Sequence, residues 1–155
     1  MTTAEKLLYK NELLQNCAQI ITKRIEISLM AMKSAQDAAN SEDKSSAGDK
    51  YETSRAMSHI DKDMYARQLA ANKIELAQLL TIDCGRRYDI VASGSLVACA
   101  DISFFIAAGL GKLNMDGRDI FLLSPQAPLA KTMMGKKKGE MIKFSNKDML
   151  IVEIY

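Results

Sequence analysis

The sequence has few of the residues that usually build enzymatic or metal centres. Its 155 residues include no tryptophan, two prolines and one histidine, His59, which has no cysteine or histidine at ligand spacing. Because a catalytic histidine needs an orienting partner, we expect His59 to be an ordinary surface residue. Cys17, Cys84 and Cys99 are odd in number and form no Cys-x-x-Cys spacing, which argues against a zinc site and a disulfide framework. We expect buried, reduced thiols.

The sequence also lacks a long apolar run and a strong excess of one charge. No segment approaches the roughly 20 apolar residues of a membrane span, and the polar start is unlike a signal peptide. We therefore expect a cytoplasmic protein with no membrane partner. A net charge of +2 argues against bulk electrostatic binding of nucleic acid. The acidity is local, because residues 37–52 hold five acidic residues and two lysines while the remainder carries a net +5.

Two long segments without glycine or proline run from Thr3 to about Ala38 and from Asp49 to about Leu80. Their apolar residues recur at spacings of three, four and seven, which indicates two amphipathic helices that pair. The predicted seam residues are Leu7, Leu14, Ala18, Ile21, Ile25 and Met32, then Met57, Ile60, Met64, Ala71 and Ile74. We predict an antiparallel coiled-coil hairpin over residues 1–82, roughly 50 Å long, with methionines filling the thin seam.

Residues 83–155 change period and contain short apolar runs between turn residues, which is typical of β-strands. The strand candidates are Asp89–Val91, Leu96–Ala100, Ile102–Ala107, Ile120–Leu123, Met141–Phe144 and Met149–Ile154. One short helix is predicted from Pro125 to Met134, ended by Gly135. The second domain is therefore predicted to be a small, mostly antiparallel sheet with one helix, and the whole protein to be α+β.

The turn between the two helical segments, residues 40–52, is polar and acidic. Within it, Asp49 and Glu52 stand three residues apart at a predicted helix start, so both should project from one face of the first turn. This spacing is also that of a capping box, in which the two side chains cap exposed backbone N–H groups. Alternatively, the pair provides part of an Mg²⁺ site that a partner completes, since Mg²⁺ takes one or two protein carboxylates plus waters and phosphates.

Three short motifs stand in a characteristic order. Residues 48–52 read Gly-Asp-Lys-Tyr-Glu, residues 91–97 read Val-Ala-Ser-Gly-Ser-Leu-Val, and residues 123–130 read Leu-Ser-Pro-Gln-Ala-Pro-Leu-Ala, followed by Gly135-Lys136 and Gly139-Glu140. They resemble the tip motif Gly-Asp-x-x-Glu-Asn-Ala-Glu-Tyr, the signature Val-x-x-Gly-Ser-x-Val, and Ile-Ser-x-x-Ser-Pro-Leu-Ala with Leu-Gly-Lys-x-x-Gly-Asp. These belong to the Gre transcript-cleavage factors of bacterial RNA polymerase, and the resemblance extends over the whole chain.

The resemblance implies an FKBP-like fold for residues 83–155, which would dock at the rim of the secondary channel of RNA polymerase. Its docking loop would be Ser124, Pro125, Gln126, Ala127 and Pro128. The hairpin would enter the channel as a monomer. There Asp49 and Glu52 would help hold an Mg²⁺ ion shared with the polymerase and orient the water that hydrolyses backtracked RNA near its 3′ end. The protein would stimulate the cleavage activity of the polymerase without being an enzyme itself.

Two alternatives remain, one from a difference between this sequence and the family and one from the fold. After Glu52 the chain reads Thr53-Ser54-Arg55-Ala56 instead of Asn-Ala-Glu-Tyr, so the third tip acid and the aromatic residue are absent at those positions. The first alternative is therefore a Gre-like regulator that occupies the channel without promoting cleavage. The second is a peptidyl-prolyl isomerase, suggested by fold analogy alone, which would need an apolar pocket lined by aromatic residues.

Overall fold

The structure, a computed structural model, describes the backbone of residues 1–42 and 48–155 and the side chains of residues 1–41 and 52–155. Its helices are α1 (Thr3–Glu42), α2 (Gly48–Leu80) and α3 (Pro128–Met133). Its strands are β1 (Leu96–Ala98), β2 (Ile102–Ile106), β3 (Gly111–Met115), β4 (Arg118–Leu123), β5 (Met141–Phe144), β6 (Lys147–Leu150) and β7 (Glu153–Ile154). The predicted α+β class, two packed helices followed by a mostly antiparallel sheet, is confirmed.

The chain divides into two compact units. One contains residues 19–77, which are most of α1 and α2. The other contains residues 1–18 and 78–155, so the first turns of α1 and the end of α2 belong with the sheet. Contacts within this second unit include an ion pair between Lys6 and Glu153 and a 3.3 Å contact from Asn16 Nδ2 to Met115 Sδ.

The predicted seam of α1 agrees with the structure. Ile21 is fully buried, and the other predicted seam residues of this helix are all half-buried. Cys17, Ser28 and Ala39, which keep the same helical spacing, are also buried. This face of α1 is made mainly of small and aliphatic side chains, which allow close approach of a second helix.

The predicted seam of α2 is wrong. Met57, Ile60, Met64, Ala71 and Ile74 are all exposed. Among the described side chains of α2, the buried or half-buried positions are instead Ser54, Ser58, Lys62, Tyr65, Ala66, Leu69, Asn72, Glu75, Leu76 and Leu79. Lys62 Nζ donates a 2.6 Å hydrogen bond to Gln36 Oε1, which ties this more polar face to α1. Both sets of α2 residues have helical spacing, and periodicity alone favoured the more apolar set.

The main sheet has five strands in the order β3-β4-β2-β1-β7. All neighbouring strands are antiparallel except β2 and β4, which pair in parallel, with Phe104 opposite Phe121. Strands β5 and β6 form a separate antiparallel hairpin. Its turn is Ser145-Asn146, where both residues have positive φ, as a two-residue primed turn requires.

Strand β3 is not among the strands expected from the sequence, and it contains one glycine, Gly111, at its first position. It pairs with β4 across a two-residue turn in which Asp116 has φ 53° and Gly117 has φ 80°. Asp-Gly is a strong signal for this kind of turn, but the strand before it, Gly-Lys-Leu-Asn-Met, has only one buried residue, Met115. A mostly exposed edge strand gives a weak hydrophobic pattern.

Other predicted strands differ in extent. Residues 89–91 form no strand, and Ile90 makes only an isolated bridge with Lys137. The single strand predicted over residues 149–154 is divided between β6 and β7, which lie in different sheets. The predicted helix over residues 125–134 is shorter, because Pro128 occupies the first helical position of α3.

We predict that Leu69→Ala will lower the free energy of unfolding by about 2–4 kcal/mol, because it leaves a cavity in the seam between α1 and α2. In contrast, Ile60→Ala should change it by less than about 0.5 kcal/mol, because this side chain is exposed. Urea unfolding followed by circular dichroism at low micromolar concentration measures both. Equal losses for the two variants would contradict the assignment of the seam.

Candidate functional site

The predicted acidic tip is described only in part. Residues 43–47 lie outside the described residues, and so does the side chain of Asp49. Helix α2 begins at Gly48, so Asp49 is its second residue and Glu52 its fifth, just past the first turn. In a capping box Asp49 would precede the helix, whereas here the helix starts one residue earlier. Glu52 is exposed, which leaves its carboxylate open to a partner.

The exposed position of Glu52 limits what this chain can do with a metal ion by itself. Among the described side chains, no three His, Cys, Asp or Glu residues converge to hold a metal. An exposed carboxylate can supply one ligand of an Mg²⁺ ion, but the other ligands must come from water, phosphate or a partner.

The loop at Ser124–Pro128 connects β4 to α3 and is held by its own backbone. Ala127 N–H donates to the Ser124 carbonyl at 3.0 Å, and Gln126 N–H donates to Ser124 Oγ at 3.2 Å. Gln126 and Pro128 are exposed, whereas the other three residues are half-buried. The loop is thus a short, internally braced turn that presents one amide side chain and one proline ring to solvent.

The motifs at residues 91–97 and 135–136 contact each other. Val91 N–H donates to the Lys136 carbonyl at 2.8 Å, and Gly135 N–H donates to the Val91 carbonyl at 2.9 Å. Gly94 has φ +89°, and a Cβ there would lie 2.6 Å from the Tyr88 hydroxyl, so glycine is required by both backbone and space. These residues fix the start of β1 and the end of α3, which is a structural role.

The phenylalanines of the sheet domain form a cluster. Phe104, Phe121 and Phe144 have ring centroids 4.9–5.7 Å apart, in one stacked and two edge-to-face contacts. Phe104 is fully buried in the core formed by β1, β2, β4, β5 and α3. The rings therefore pack against each other, and their role is in the core. This arrangement gives no support to the isomerase alternative.

Lys10 is an unusual buried residue that the sequence analysis missed. It is completely buried on α1, and its Nζ has no hydrogen-bond partner among the described residues. Nζ lies 4.3 Å from the centre of the Tyr88 ring, a cation–π distance. Burial lowers the pKa of Lys10 to about 8. Its spacing from Leu7 and Leu14, which places it on the buried face, was the available sequence signal.

A cleft of about 510 Å³ lies between the start of α1 and the sheet, within the same compact unit. Tyr9 and Tyr155 line it, and burial raises the pKa of both phenols, that of Tyr155 to about 12. Arg118 also lines it, but its guanidinium donates to Ser103 Oγ and to the carbonyls of the β1–β2 turn. Burial therefore favours the protonated form of both phenols.

The cysteines and the histidine have ordinary environments. Cys17 and Cys99 are buried, Cys84 is half-buried, and all three are free thiols, as expected for the two buried residues. Burial raises the pKa of each thiol, that of Cys17 to about 12, which disfavours a reactive thiolate. His59 is exposed on α2, as predicted.

Comparisons with protein-family models, with curated protein sequences and with solved structures found no match. Among the described helices, none is both long enough and apolar enough to cross a membrane.

We predict that Lys10→Met will stabilise the protein at pH 7 by roughly 2–3 kcal/mol, because it removes a buried group whose charged form is disfavoured. Between pH 8 and 10.5 the unfolded chain binds more protons at Lys10 than the folded one, so its penalty declines as pH rises. The gain over wild type should therefore shrink across that window.

Urea unfolding from pH 7 to 10.5 measures this difference. The buried thiols have raised pKa values, which make the stability of both proteins fall as pH rises. Because both proteins contain these thiols, the difference in stability between them is less affected by this fall. Lys23→Met, at an exposed position on α1, is the control and should show no such pH-dependent gain. A gain for Lys10→Met that is absent, or that does not change with pH, would contradict the prediction.

Proposed function

We propose that this protein is a Gre-type elongation factor of bacterial RNA polymerase, acting in the cytoplasm. In this proposal the unit that holds the sheet is an FKBP-like docking domain, and the helical hairpin enters the secondary channel. The carrying observation is the exposed Glu52 near the start of α2, at the end of a helical hairpin that precedes a β domain. The resemblance of the three motifs to the Gre factors implies the same order of hairpin and β domain and a carboxylate at this position.

The roles of the motif residues support the proposal in different degrees. Val91, Gly94 and Gly135, which belong to the motifs, hold the start of β1 and the end of α3 in place, which supports the proposed docking domain. The braced turn that exposes Gln126 and Pro128 has the properties of a docking loop, since a rigid loop loses little entropy on binding. Neither observation by itself specifies the partner.

In the proposed reaction, Asp49 and Glu52 each contribute a carboxylate to a site that the polymerase and the RNA phosphate complete. Mg²⁺ bound there supplies positive charge that stabilises the attacking and leaving oxygens of phosphodiester hydrolysis. The role of this chain is to bring two negative charges to one place and to orient a water by hydrogen bonding. The chain itself has no turnover, because the rest of the centre belongs to the polymerase.

The second candidate is the channel-binding regulator without cleavage activity. The observation that favours it is in the sequence after Glu52, where Arg55 is the only charged residue among the next four. A cation one turn from the carboxylates weakens their attraction for a metal ion. The two candidates share the partner and the docking surface and differ only in the effect of the tip.

We predict that the double variant Asp49→Ala, Glu52→Ala will reduce cleavage of backtracked RNA by at least about ten-fold, the lower range for losing a group that supports a metal site. The assay follows the transcript 3′ end in stalled polymerase complexes. The matched control removes two exposed acids of α1, Glu12→Ala with Glu26→Ala, and should cleave as wild type does. Unchanged cleavage by the double variant, with binding retained, would favour the regulator.

We predict that Gln126→Arg with Pro128→Asp will weaken binding to the polymerase by about ten-fold or more, because both side chains are exposed on the proposed docking loop. Binding is measured by fluorescence anisotropy of labelled protein. Lys147→Ala, at an exposed position of β6, is the control and should bind normally. If the double variant binds the polymerase as tightly as the wild-type protein and the control do, the proposed docking role of this loop is wrong.

A further inference from the structure

Helix α2 carries an apolar stripe on the side opposite its seam with α1. The stripe consists of five apolar residues and one central arginine, and all six are exposed. In chain order they are Met57, Ile60, Met64, Arg67, Ala71 and Ile74. The large apolar members are 55%, 60%, 44% and 61% exposed, in chain order. Their spacings of three and four residues alternate without interruption, which is the pattern of a helix that pairs with another helix.

The outward face of α1 is different and provides an internal comparison. The positions of α1 opposite its own buried face are Lys23, Glu26, Met30, Lys33 and Asp37, with the same alternation of spacings. Four of these five are charged, as expected for a face in contact with water. Helix α1 also exposes large apolar side chains, namely Leu8, Ile27, Leu29 and Met30, but they do not continue as one row at spacings of three and four residues as those of α2 do.

The charges on the stripe lie at its middle. Ile60, Asp63, Met64, Arg67 and Gln68 line one groove on the surface of α2. Asp63 and Arg67 are thus close to the centre of the segment from Met57 to Ile74, with large apolar residues towards both ends. Because of this symmetric arrangement, two copies of the segment that run antiparallel place apolar residues against apolar residues near their ends and the charged residues against each other in the middle.

We propose that two copies of this chain associate through the α2 stripe, with their α2 helices antiparallel. In this register Met57 faces Ile74 of the second copy, Ile60 faces Ala71, and Met64 faces Arg67. Each Arg67 then lies beside Asp63 of the second copy, which forms two equivalent ion pairs around the two-fold axis. The occupant of the stripe is therefore a second copy of the same helix.

The central arginine selects the antiparallel arrangement. In a parallel pair with the helices in register, residues at equivalent positions meet, so Arg67 would face Arg67 in an apolar layer. Like charges in that position are repulsive, and a buried cation without a partner is costly. In the antiparallel pair each Arg67 is instead attracted to Asp63 of the second copy. Every other stripe residue still faces a stripe residue of the second copy.

The size of the stripe sets the expected strength of association. The segment is roughly 27 Å long, and its side chains would bury on the order of 500 Å² from each copy, near the lower limit for a specific interface. We therefore expect a dissociation constant of about 1–100 µM. A dimer of this strength forms at high protein concentration and dissociates on dilution.

This association has a consequence for the proposed function. The stripe lies on α2, which is one of the two helices that would enter the polymerase channel. A copy whose α2 is covered by a second copy cannot place the same face in a narrow channel, so dimer and polymerase complex exclude each other. The dimer would be a storage form, and the dimer itself can be tested in the absence of polymerase.

Sedimentation velocity of the full-length protein from about 1 to 300 µM tests the proposal, because a weak dimer is revealed by its concentration dependence. Wild type should shift from monomer to dimer across this range. Ile60→Lys should raise the dissociation constant at least about ten-fold. Met30→Lys also replaces an exposed apolar side chain with lysine, at a 70% exposed position on the outward face of α1, and should leave the dimer unchanged. Circular dichroism verifies that both variants stay helical.

A charge exchange tests the antiparallel register. Arg67→Glu and Asp63→Arg should each weaken the dimer, because each places like charges beside each other across the axis, and the two changes combined should restore it. A wild type that remains monomeric at about 300 µM would overturn the proposal and leave the stripe to a helix of another protein. Equal effects of Ile60→Lys and Met30→Lys would also overturn it, and so would failure of the exchange to restore the dimer.

Discussion

A helix that is apolar on two faces can bury only one of them against a single partner helix, and α2 is such a helix. Its seam contains the buried Leu69 and the half-buried Leu76, Ser58, Lys62 and Asn72, while the more apolar face is exposed. Polar groups of the seam that lose contact with water need hydrogen-bond partners. The hydrogen bond from Lys62 to Gln36 is one such pairing. The stripe stays exposed, and it is what makes a second helical contact physically reasonable.

In the sheet domain, backbone hydrogen bonds hold the exposed loops in place. Val91 is held between Gly135 and Lys136, and the loop before α3 is closed by Ser124 and Ala127. Because these contacts use main-chain groups and turn residues, the exposed side chains of the loop remain available for a partner. The buried Lys10 is the exception in this domain. It retains a cationic group over the Tyr88 ring at a cost in stability, which is the kind of local conflict that proteins keep where a residue has a role beyond packing.

The two proposals use different parts of the hairpin. The channel-binding role depends on carboxylates near the start of α2, whereas self-association depends on residues 57–74, further along the same helix. A factor that acts inside an enzyme must keep its arm free of unrelated contacts, and an apolar stripe on that arm is a liability at high concentration. A weak, self-complementary dimer resolves this conflict, because it covers the stripe when the protein is abundant and releases it on dilution.

The sequence by itself determined the α+β class, the two long helices and most strands, because these follow from local periodicity. It also identified Glu52 and the loop before α3 as candidate sites through their motifs. It did not determine which face of α2 meets α1, where β3 pairs, or that Lys10 is buried. Those depend on which surfaces are available from residues far away in the chain. Only the tertiary structure could decide them, since a helical pattern defines a face but does not state what lies opposite it.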